Sequence, residues 1–444
     1  MAPVAPAPRR TPPGARGEVT CRPMASTTAS IDDTCLAAKR ASRALATLGS
    51  SVKNRALEAV AAALTEATEQ ILEANALDLE AGEANGLSEA LLDRLALDER
   101  RIAEMAAGVR TIAALPDPVG EVIDGSTLAN GLQLRRVRVP LGVIAVVYEA
   151  RPNVTIDAAA LCLKSGNAVV LRGSSSAAHS NAVLGAVAAQ AAATAGLPEG
   201  ALSILSGGDR DELKELATQA GVVDLIIPRG GEGLKAALKG VATVPVIYAA
   251  SGNNHVYVDA EADLDQAREI VLNAKLQRPG TCNSAEKLLV HADIADRFLP
   301  GMLDALARAG VRLHGDARAR AAAPDAAIDE ATAEDWDTEY LALEMAVAVV
   351  DSTAEAIAHV NAHGSGHSEA IVTAGTVSAR AFQLGVDAAC VYVNASTRFT
   401  DGGEFGMGAE IGNSTQKLHA RGPIGLRELC TFKYIVEGDG QIRS

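Results

Sequence analysis

The feature that most constrains the fold of this chain is a regular alternation of short apolar runs with longer helical segments. In the first half the runs lie at 143–148, 168–172, 202–205, 222–227 and 244–248. Runs of this length are typical of buried strands, and a strand–helix–strand rhythm favours parallel pairing. The pattern therefore predicts a doubly wound α/β sheet.

The same rhythm resumes after residue 256 and predicts a second sheet of the same kind. Helices are expected at 263–277, 293–309, 353–361 and 376–384, and strands at 287–291, 346–350, 369–373 and 389–393. The break between the two series falls near residues 248–255. Ahead of both, residues 32–115 are alanine-rich, with apolar residues at helical spacing such as Leu57, Val60, Ala61 and Leu64.

Two segments outside this alternation predict a small antiparallel arm. Residues 120–138 alternate and contain the turn Asn130-Gly131, which favours a β-hairpin, and residues 432–436 are expected to form a further pairing strand. Paired arms of this kind suggest a dimer or tetramer. Residues 1–30 are rich in proline, alanine, serine and threonine and are expected to be a disordered extension, with a transit peptide as the alternative.

Composition narrows the class of protein. The chain has 444 residues, 48% of them hydrophobic, and a formal net charge of −15. That charge argues against nucleic acid as a partner, and no apolar run reaches the ~18 residues of a membrane span. The cysteines form no CxxC pair and no zinc-like spacing with histidine. We expect a cytoplasmic, reduced protein without a metal site, in which Cys162 and Cys390 are core residues.

Cys282 differs from these cysteines because it lies in the turn Arg278-Pro279-Gly280-Thr281-Cys282-Asn283, between a helical run and a strand run. A proline–glycine turn exposes a side chain, whereas structural cysteines are usually buried. We therefore interpret Cys282 as a nucleophile that forms a thioester with an acyl group.

Two predicted strands end in residues suited to phosphates. Arg172 is followed by Ser174 and Ser175, whose hydroxyls and helix-start amides suit a phosphate, and the arginine suits a ribose 2′-phosphate. Gly230 and Gly231 follow the next-but-one strand and permit close approach of a ligand to the backbone. The alternatives are an N-cap cluster and an ordinary βα turn. No GxGxxG follows a strand, and no phosphate-loop lysine motif occurs.

Further polar segments supply candidate donors. Asn153 lies after Arg151 and Pro152 at the end of a predicted strand, where its amide N–H can stabilise an oxyanion, or where it acts only as a helix cap. The segments 394–400 and 410–423 are dense in donors, including Arg398, Ser414 and Arg421, and are either anion-binding or solvated loops.

Together these segments resemble the gamma-glutamyl phosphate reductases, also called glutamate-5-semialdehyde dehydrogenases, of the aldehyde dehydrogenase superfamily. The resemblance extends from about residue 37 to 436 and is carried by residues 139–145, 149–153, 163–168, 227–231, the Cys282 turn, 363–369 and 410–423. It implies an aldehyde dehydrogenase-like α/β fold with two doubly wound parallel-sheet domains and a small β oligomerisation arm. The implied domains are an extension at 1–30, an NADP-binding domain at 31–250, a catalytic domain at 251–410, and a segment at 411–444 that completes the site and the arm.

The resemblance implies NADPH-dependent reduction of L-glutamyl 5-phosphate to L-glutamate 5-semialdehyde, the second step from glutamate towards proline. Its implied catalytic residues are Cys282 and Asn153. The implied cofactor residues are Arg172, Ser174, Ser175, Gly230, Gly231 and Glu339, and the candidates for substrate binding are Arg151, Arg398, Ser414 and Arg421. A homodimer or homotetramer and functional coupling to glutamate 5-kinase are also expected.

Two other functions are compatible with the sequence. One is an oxidative, NAD-dependent semialdehyde dehydrogenase, but residues 247–250 lack the glutamate base that oxidising relatives have there. The other is an inactive scaffold that binds a nucleotide or a partner. The Cys282 turn argues against the scaffold.

Overall fold

The computed structural model describes residues 30–205 and 207–443, so nearly all of the extension expected at residues 1–30 lies outside the described residues. Ser30 caps the first helix by accepting a hydrogen bond from the backbone N–H of Asp33. The chain then forms helices and a first pair of strands: α1 (Ile31–Leu45), α2 (Ser50–Glu66), α3 (Thr68–Ala84), α4 (Glu89–Leu95), α5 (Glu99–Ala114), β1 (Val122–Thr127) and β2 (Gln133–Pro140).

The first parallel sheet follows, and its strand order is β5-β4-β3-β6. Every residue of its central strand, β3, is buried, which agrees with a strand covered on both faces by helices. The elements of this unit are β3 (Val143–Tyr148), α6 (Pro152–Lys164), β4 (Ala168–Arg172), a 3-10 turn (Ser175–Ala177), α7 (Ala178–Thr194), β5 (Leu202–Ile204), α8 (Arg210–Ala217), β6 (Leu225–Arg229) and α9 (Glu232–Lys239).

The second parallel sheet is larger, with the order β10-β9-β11-β8-β7-β12-β13. Its elements are β7 (Asn254–Val258), α10 (Leu264–Leu276), β8 (Ala285–His291), α11 (Ala292–Arg308), β9 (Arg312–Gly315), α12 (Ala317–Ala322), β10 (Asp329–Glu330), α13 (Ala333–Asp337), β11 (Glu344–Val350), α14 (Thr353–His363), β12 (Ser368–Val372), α15 (Thr376–Gly385) and β13 (Cys390–Val393). The predicted pair of doubly wound sheets is confirmed.

The region between the two sheets differs from the prediction. Residues 244–248, expected as a strand, make only a single bridge from Val246 to Ile226. Pro245 lacks an N–H and interrupts the ladder there. The strand β7 instead begins at Asn254, inside the stretch interpreted as the break, and pairs with both β8 and β12. The strand was not predicted because its first residues, Asn254 and His255, are polar, although the whole strand is buried.

The predicted hairpin is also confirmed, since β1 and β2 pair antiparallel. After a 3-10 turn (Thr397–Phe399) and the short strands β14 (Asn413–Ser414) and β15 (Gly422–Pro423), the chain ends in β16 (Cys430–Glu437). This last strand pairs with β2 along its whole length, so the two predicted arm segments form one three-stranded sheet.

Each sheet has its own hydrophobic core. The core around the first sheet extends from α1 to Ile247 and also takes in five residues of the C-terminal segment: Ile411, Ala420, Ile424, Leu426 and Leu429. The second core is divided by its sheet into two clusters. Cys162 and Cys390 are both buried, as predicted. In the described part of the chain, no helix combines the length and apolarity needed to cross a membrane.

Candidate active site

Cys282 lies in the turn between α10 and β8, at the amino end of the middle strands of the second sheet, and is half-buried. Two groups beneath it fix its backbone. Asn254, the first residue of β7, donates its side-chain amide to the carbonyl oxygens of Cys282 and Ser284, at 2.8 and 2.6 Å. Gly252 packs so closely that a Cβ there would lie 1.6 Å from the Cys282 carbonyl oxygen. The backbone of the Cys282 turn is therefore fixed by the Asn254 side chain and by close packing against Gly252.

The other side of the turn is tied to residues 397–400. The Asn283 side-chain amide donates to the carbonyl oxygen of Thr400 at 3.0 Å, and the Thr397 hydroxyl donates to that of Asn283 at 2.7 Å. Arg398 donates from its guanidinium to Thr281 Oγ1 at 2.8 Å. Arg398 is therefore held next to the Cys282 turn.

Cys282 borders two cavities. The larger, of about 790 Å³, lies between the helices α4–α6, the Cys282 turn and the C-terminal loops. We call it the arginine cavity, because six arginines line it: Arg94, Arg101, Arg151, Arg229, Arg278 and Arg398.

The second cavity, of about 360 Å³, is lined by Gly230, Gly231, Glu339 and Lys235, and we call it the glycine cavity. Cys282 lines both cavities, together with Arg94, Arg151, Arg229 and Gly280. The thiol therefore lies on the wall between a cationic space and a space formed by a glycine turn at the start of a helix.

The arginine cavity is lined by its six arginines and by five acidic residues, Asp93, Glu104, Asp157, Asp401 and Glu410, but few of these charges are paired. Arg101 forms a salt bridge with Asp93, but Arg94, Arg151, Arg229 and Arg278 make none with a carboxylate of the described residues. Burial lowers the pKa of Arg151, and the charges of Arg229, Arg94 and Arg278 lower it further. A converging set of unpaired guanidinium groups is a site for a highly charged anion, such as a phosphate.

The thiol of Cys282 is not activated by its own loop. Burial raises its pKa to about 11, and the negative charges of Glu339 and Glu410 add to that effect. The Arg229 guanidinium and the backbone N–H of Cys282 itself act in the opposite direction. The thiolate therefore depends on positive charge supplied across the cavity.

Asn153 lines the arginine cavity from the first turn of α6, which begins with Pro152 at its first position. Its side-chain nitrogen donates to Asp157 Oδ2 at 3.1 Å. Asp157 lines the same cavity, and burial raises the pKa of its carboxyl to about 6. The predicted oxyanion donor and the predicted nucleophile thus share one cavity.

The predicted cofactor residues lie along the carboxyl edge of the first sheet and in the loop before β11. The backbone N–H of Gly231, at the start of α9, donates to Glu149 Oε2 at 3.0 Å, and a Cβ on Gly230 would approach Glu149 Cδ to 2.6 Å. Glu339 accepts from the backbone N–H of Gly252 at 2.6 Å. These contacts place Gly230, Gly231 and Glu339 around one cavity with Cys282.

Arg172, Ser174 and Ser175 lie further along the same edge and line neither cavity. The guanidinium of Arg172 donates to Glu212 Oε1 at 3.0 Å and to the carbonyl oxygens of Gly208 and Asp209. The Ser174 hydroxyl accepts from the backbone N–H of Ala150 at 3.1 Å. Much of the donor capacity of Arg172 is therefore used within the protein.

The four candidates for substrate binding divide into two pairs. Arg151 and Arg398 line the arginine cavity. Ser414 is fully buried beside Asn413, which does line it, whereas Arg421 forms a salt bridge with Asp387 and lines a separate cavity of about 410 Å³. The structure thus brings Arg151 and Arg398 to Cys282 and leaves Ser414 and Arg421 outside its cavity.

Several residues at the site were missed in the sequence: Arg94, Arg229, Arg278, Asp157, Gly252, Asn254 and Glu410. Signals existed for two of them. Asp157 follows Asn153 by four residues on a predicted helix, which places both on one face. Arg229 ends a strand immediately before Gly230. The α4 arginine, Arg94, has no such signal, because only tertiary packing brings that short helix over the cavity.

A model of the aldehyde dehydrogenase family matches residues 9–344 of the chain. Gamma-glutamyl phosphate reductase from Moorella thermoacetica is 59% identical over 406 residues, which cover 91% of this chain and 97% of that protein. The protein of the same name from Thermobifida fusca is 57% identical, with the same coverage.

Among solved structures, the crystal structure of gamma-glutamyl phosphate reductase from Thermotoga maritima matches this fold with a TM-score of 0.90. The sequence identity is 46%, and the match covers 93% of this chain and 99% of that one. The similarity therefore includes both sheets and the site between them.

Proposed function

The chain belongs to the gamma-glutamyl phosphate reductases of the aldehyde dehydrogenase family, and from that premise we propose that it reduces L-glutamyl 5-phosphate with NADPH. The products are L-glutamate 5-semialdehyde and phosphate, and the reaction is the cytoplasmic second step from glutamate towards proline. The observation that supports this most is the position of Cys282 on the shared wall of the arginine and glycine cavities.

In the first step, the Cys282 sulfur attacks the acyl carbon of the acyl phosphate. The bond from that carbon to the bridging oxygen breaks, and phosphate leaves with the electron pair of the bond. Arg229 and Arg278 line the cavity without salt bridges to carboxylates of the described residues, so they can neutralise the departing charge. The product of this step is a thioester on Cys282.

The oxyanion formed during the attack needs donors that are already in place. We assign this role to the side-chain N–H of Asn153 and the backbone N–H of Cys282. Asn153 faces the arginine cavity, and the Cys282 backbone is fixed by Asn254 and Gly252. Preorganised donors of this kind contribute about 3–4 kcal/mol to the transition state.

The residues of the glycine cavity fit a dinucleotide. The Gly231 amide at the start of α9 already binds a carboxylate oxygen, which is the donor arrangement that a pyrophosphate requires. Gly230, Gly231 and Glu339 would hold the cofactor near Cys282, and Arg172, Ser174 and Ser175 would lie towards its adenosine end. When bound, NADPH supplies a hydride to the thioester carbon. For a pyrophosphate to bind there, the hydrogen bond from the Gly231 N–H to Glu149 has to break.

For the α-carboxylate of the substrate we propose Arg398 and Arg151, which both line the arginine cavity. Ser414 and Arg421 are proposed in a supporting role. Ser414 adjoins Asn413, and Arg421 holds the C-terminal segment to Asp387. Both would keep Asn413 and Glu410 at the cavity wall.

The reverse reaction tests the proposal. Reduction of NADP⁺ by glutamate 5-semialdehyde is measured with and without phosphate, in the wild type and in Cys282→Ala. We expect phosphate-dependent activity that Cys282→Ala abolishes. No activity in the wild type would reject the enzyme, equal activity in both proteins would reject the cysteine mechanism, and phosphate-independent oxidation would favour the NAD-dependent alternative.

The three-stranded sheet of β1, β2 and β16 is proposed as the oligomerisation arm of a homodimer or homotetramer. Phe432, Tyr434 and Val436 alternate along β16 and are 44–57% exposed. We expect Tyr434→Asp to lower the molar mass measured by light scattering.

Functional coupling to glutamate 5-kinase, which would supply the substrate, is also proposed, because acyl phosphates react with water.

A further inference from the structure

The amide of Asn153 can stabilise the proposed oxyanion only if its nitrogen, and not its oxygen, faces the oxygen on which the negative charge develops. A carboxamide has a donor end and an acceptor end of nearly equal size, so rotation by 180° about its last bond exchanges them at little steric cost. Something in the protein therefore has to select one orientation.

The structure contains such a group one helical turn away. Asn153 and Asp157 are four residues apart on α6, which places them on the same face, and both line the arginine cavity. The Asn153 nitrogen donates to Asp157 Oδ2 at 3.1 Å. An ionised carboxylate can only accept hydrogen bonds, so it binds the nitrogen of the amide and rejects the oxygen.

We propose that Asp157 is a positioning residue that fixes the orientation of the Asn153 amide, so that the second N–H of the same nitrogen is available to the oxyanion. The inference rests on the proposed function, since it gives Asn153 a partner in the same reaction. Asp157 does not touch the reacting atoms. It acts through Asn153, and its removal should affect the transition state more than the binding of substrate.

The charge state of Asp157 controls this orientation. Burial raises its pKa to about 6. The hydrogen bond from Asn153 and the positive charge of Arg229 at the end of β6 lower the pKa but do not outweigh burial. The other charged groups that line the cavity are Asp93 and Arg94 of α4, Arg101 and Glu104 of α5, Arg151 at the start of α6, Arg278 of the Cys282 turn, and Arg398, Asp401 and Glu410 of the later loops. Above pH 6 the carboxylate accepts from the amide nitrogen. Below pH 6 the protonated form can donate to the amide oxygen, which permits the unproductive orientation.

The test is a double-mutant cycle in the phosphate-dependent assay, with Asp157→Asn, Asn153→Ala and the combined variant. Asn153→Ala is expected to lower kcat about 100-fold. Asp157→Asn is expected to lower kcat about tenfold with KM changed less than about twofold, and to add nothing in the Asn153→Ala background. The wild type should lose kcat below about pH 6, and Asp157→Asn should lack that acid limb.

Three results would overturn the inference: a loss from Asp157→Asn that persists in the Asn153→Ala background, a change confined to KM, or an unchanged acid limb. If Asp157→Asn does not fold, as judged by thermal unfolding, Asp157→Glu replaces it. That variant keeps an accepting carboxylate and should retain kcat within about threefold, whereas a tenfold loss would contradict the inference. A wild type without phosphate-dependent activity would reject the proposed function itself, which is a different outcome.

Discussion

The two parallel sheets contribute to the site from opposite edges. In the first sheet the residues at the cavities follow the strands: Asn153 comes after β3, and Arg229 and Gly230 lie at the end of β6. In the second sheet Cys282 comes before β8 and Glu339 before β11, and Arg398, which follows β13, is tied back to the Cys282 turn. The general rule that ligands bind at the carboxyl ends of parallel strands thus holds for the first sheet only.

The difference has an electrostatic consequence. Helices that follow parallel strands begin at the carboxyl edge, and their first amides attract anions. The first sheet therefore suits phosphates, as the Gly231 amide at the start of α9 illustrates. The amino edge of the second sheet gives Cys282 a rigid turn but no helix start, and the pKa of its thiol stays high. The second sheet positions Cys282, and the first supplies Arg229, whose charge lowers the pKa of the Cys282 thiol.

The largest expected effect tests the rigid support under the nucleophile. In Gly252→Ala the new methyl group would overlap the Cys282 carbonyl, so the turn has to move. A displacement of about 1 Å costs roughly 100-fold in rate, and we expect at least that loss in kcat/KM. Gly233→Ala is the matched control, because a Cβ at that position in α9 meets nothing within 4 Å. Comparable losses in both variants would contradict this account of Gly252.

The second prediction tests the activation of the thiol by the first sheet. Arg229→Met removes a positive charge that lowers the pKa of Cys282, so the pKa rises further and less thiolate exists at any pH below it. Iodoacetamide alkylation of Cys282 at pH 8 should slow about tenfold, which corresponds to about one pKa unit. In the wild type the alkylation rate should keep rising with pH towards about 11. A faster reaction in the variant would refute this role of Arg229.

The third prediction concerns the glycine turn after β6. In Gly230→Ala the added methyl group meets the ends of two flexible side chains, Glu149 and Leu234, which can move aside. The cavity becomes smaller without displacement of Cys282. We expect KM for NADPH to rise about fivefold with kcat nearly unchanged, in contrast to Gly252→Ala. A loss confined to kcat would show that the two edges are not functionally separate.

The smallest expected effect concerns the pair formed by Arg172 and Glu212. The carboxylate of Glu212 neutralises Arg172, which weakens any attraction of this arginine for a ribose 2′-phosphate. Glu212→Gln should raise the preference for NADPH over NADH, measured as the ratio of kcat/KM values, by about threefold. An unchanged ratio, with reduced thermal stability, would assign Arg172 a structural role alone.

Much of the fold could be predicted because its signals are local. The fully apolar run of β3 and the hairpin turn at Asn130-Gly131 each define an element by their own residues. The strand β7 was missed because its first residues are polar. The polar side chain of Asn254 can be buried there because it bonds to the Cys282 turn, 28 positions away, and to the backbone N–H of Ser368.

The site was only partly predictable because many of its contacts join residues that are far apart in the chain. Cys282 was identifiable from its turn, and Gly231 from its position after a strand. The sequence left open whether Arg172 and the serines after it bind a phosphate or form an N-cap cluster, and it gave no sign of the contact between Arg172 and Glu212 of α8. Arg94 comes from a short helix whose sequence gives no sign that it lies over a cavity.

The sequence by itself determined the two parallel sheets and the antiparallel hairpin, and it singled out Cys282 as the candidate nucleophile, because these depend on residue types and periodicity within short segments. Only the tertiary structure decided that the sheets meet at opposite edges, that five of the six cavity arginines form no salt bridge with a carboxylate of the described residues, and that Gly252 leaves no room beneath Cys282. Those properties depend on distances between residues far apart in the chain. They result from how the elements pack, which no single segment specifies.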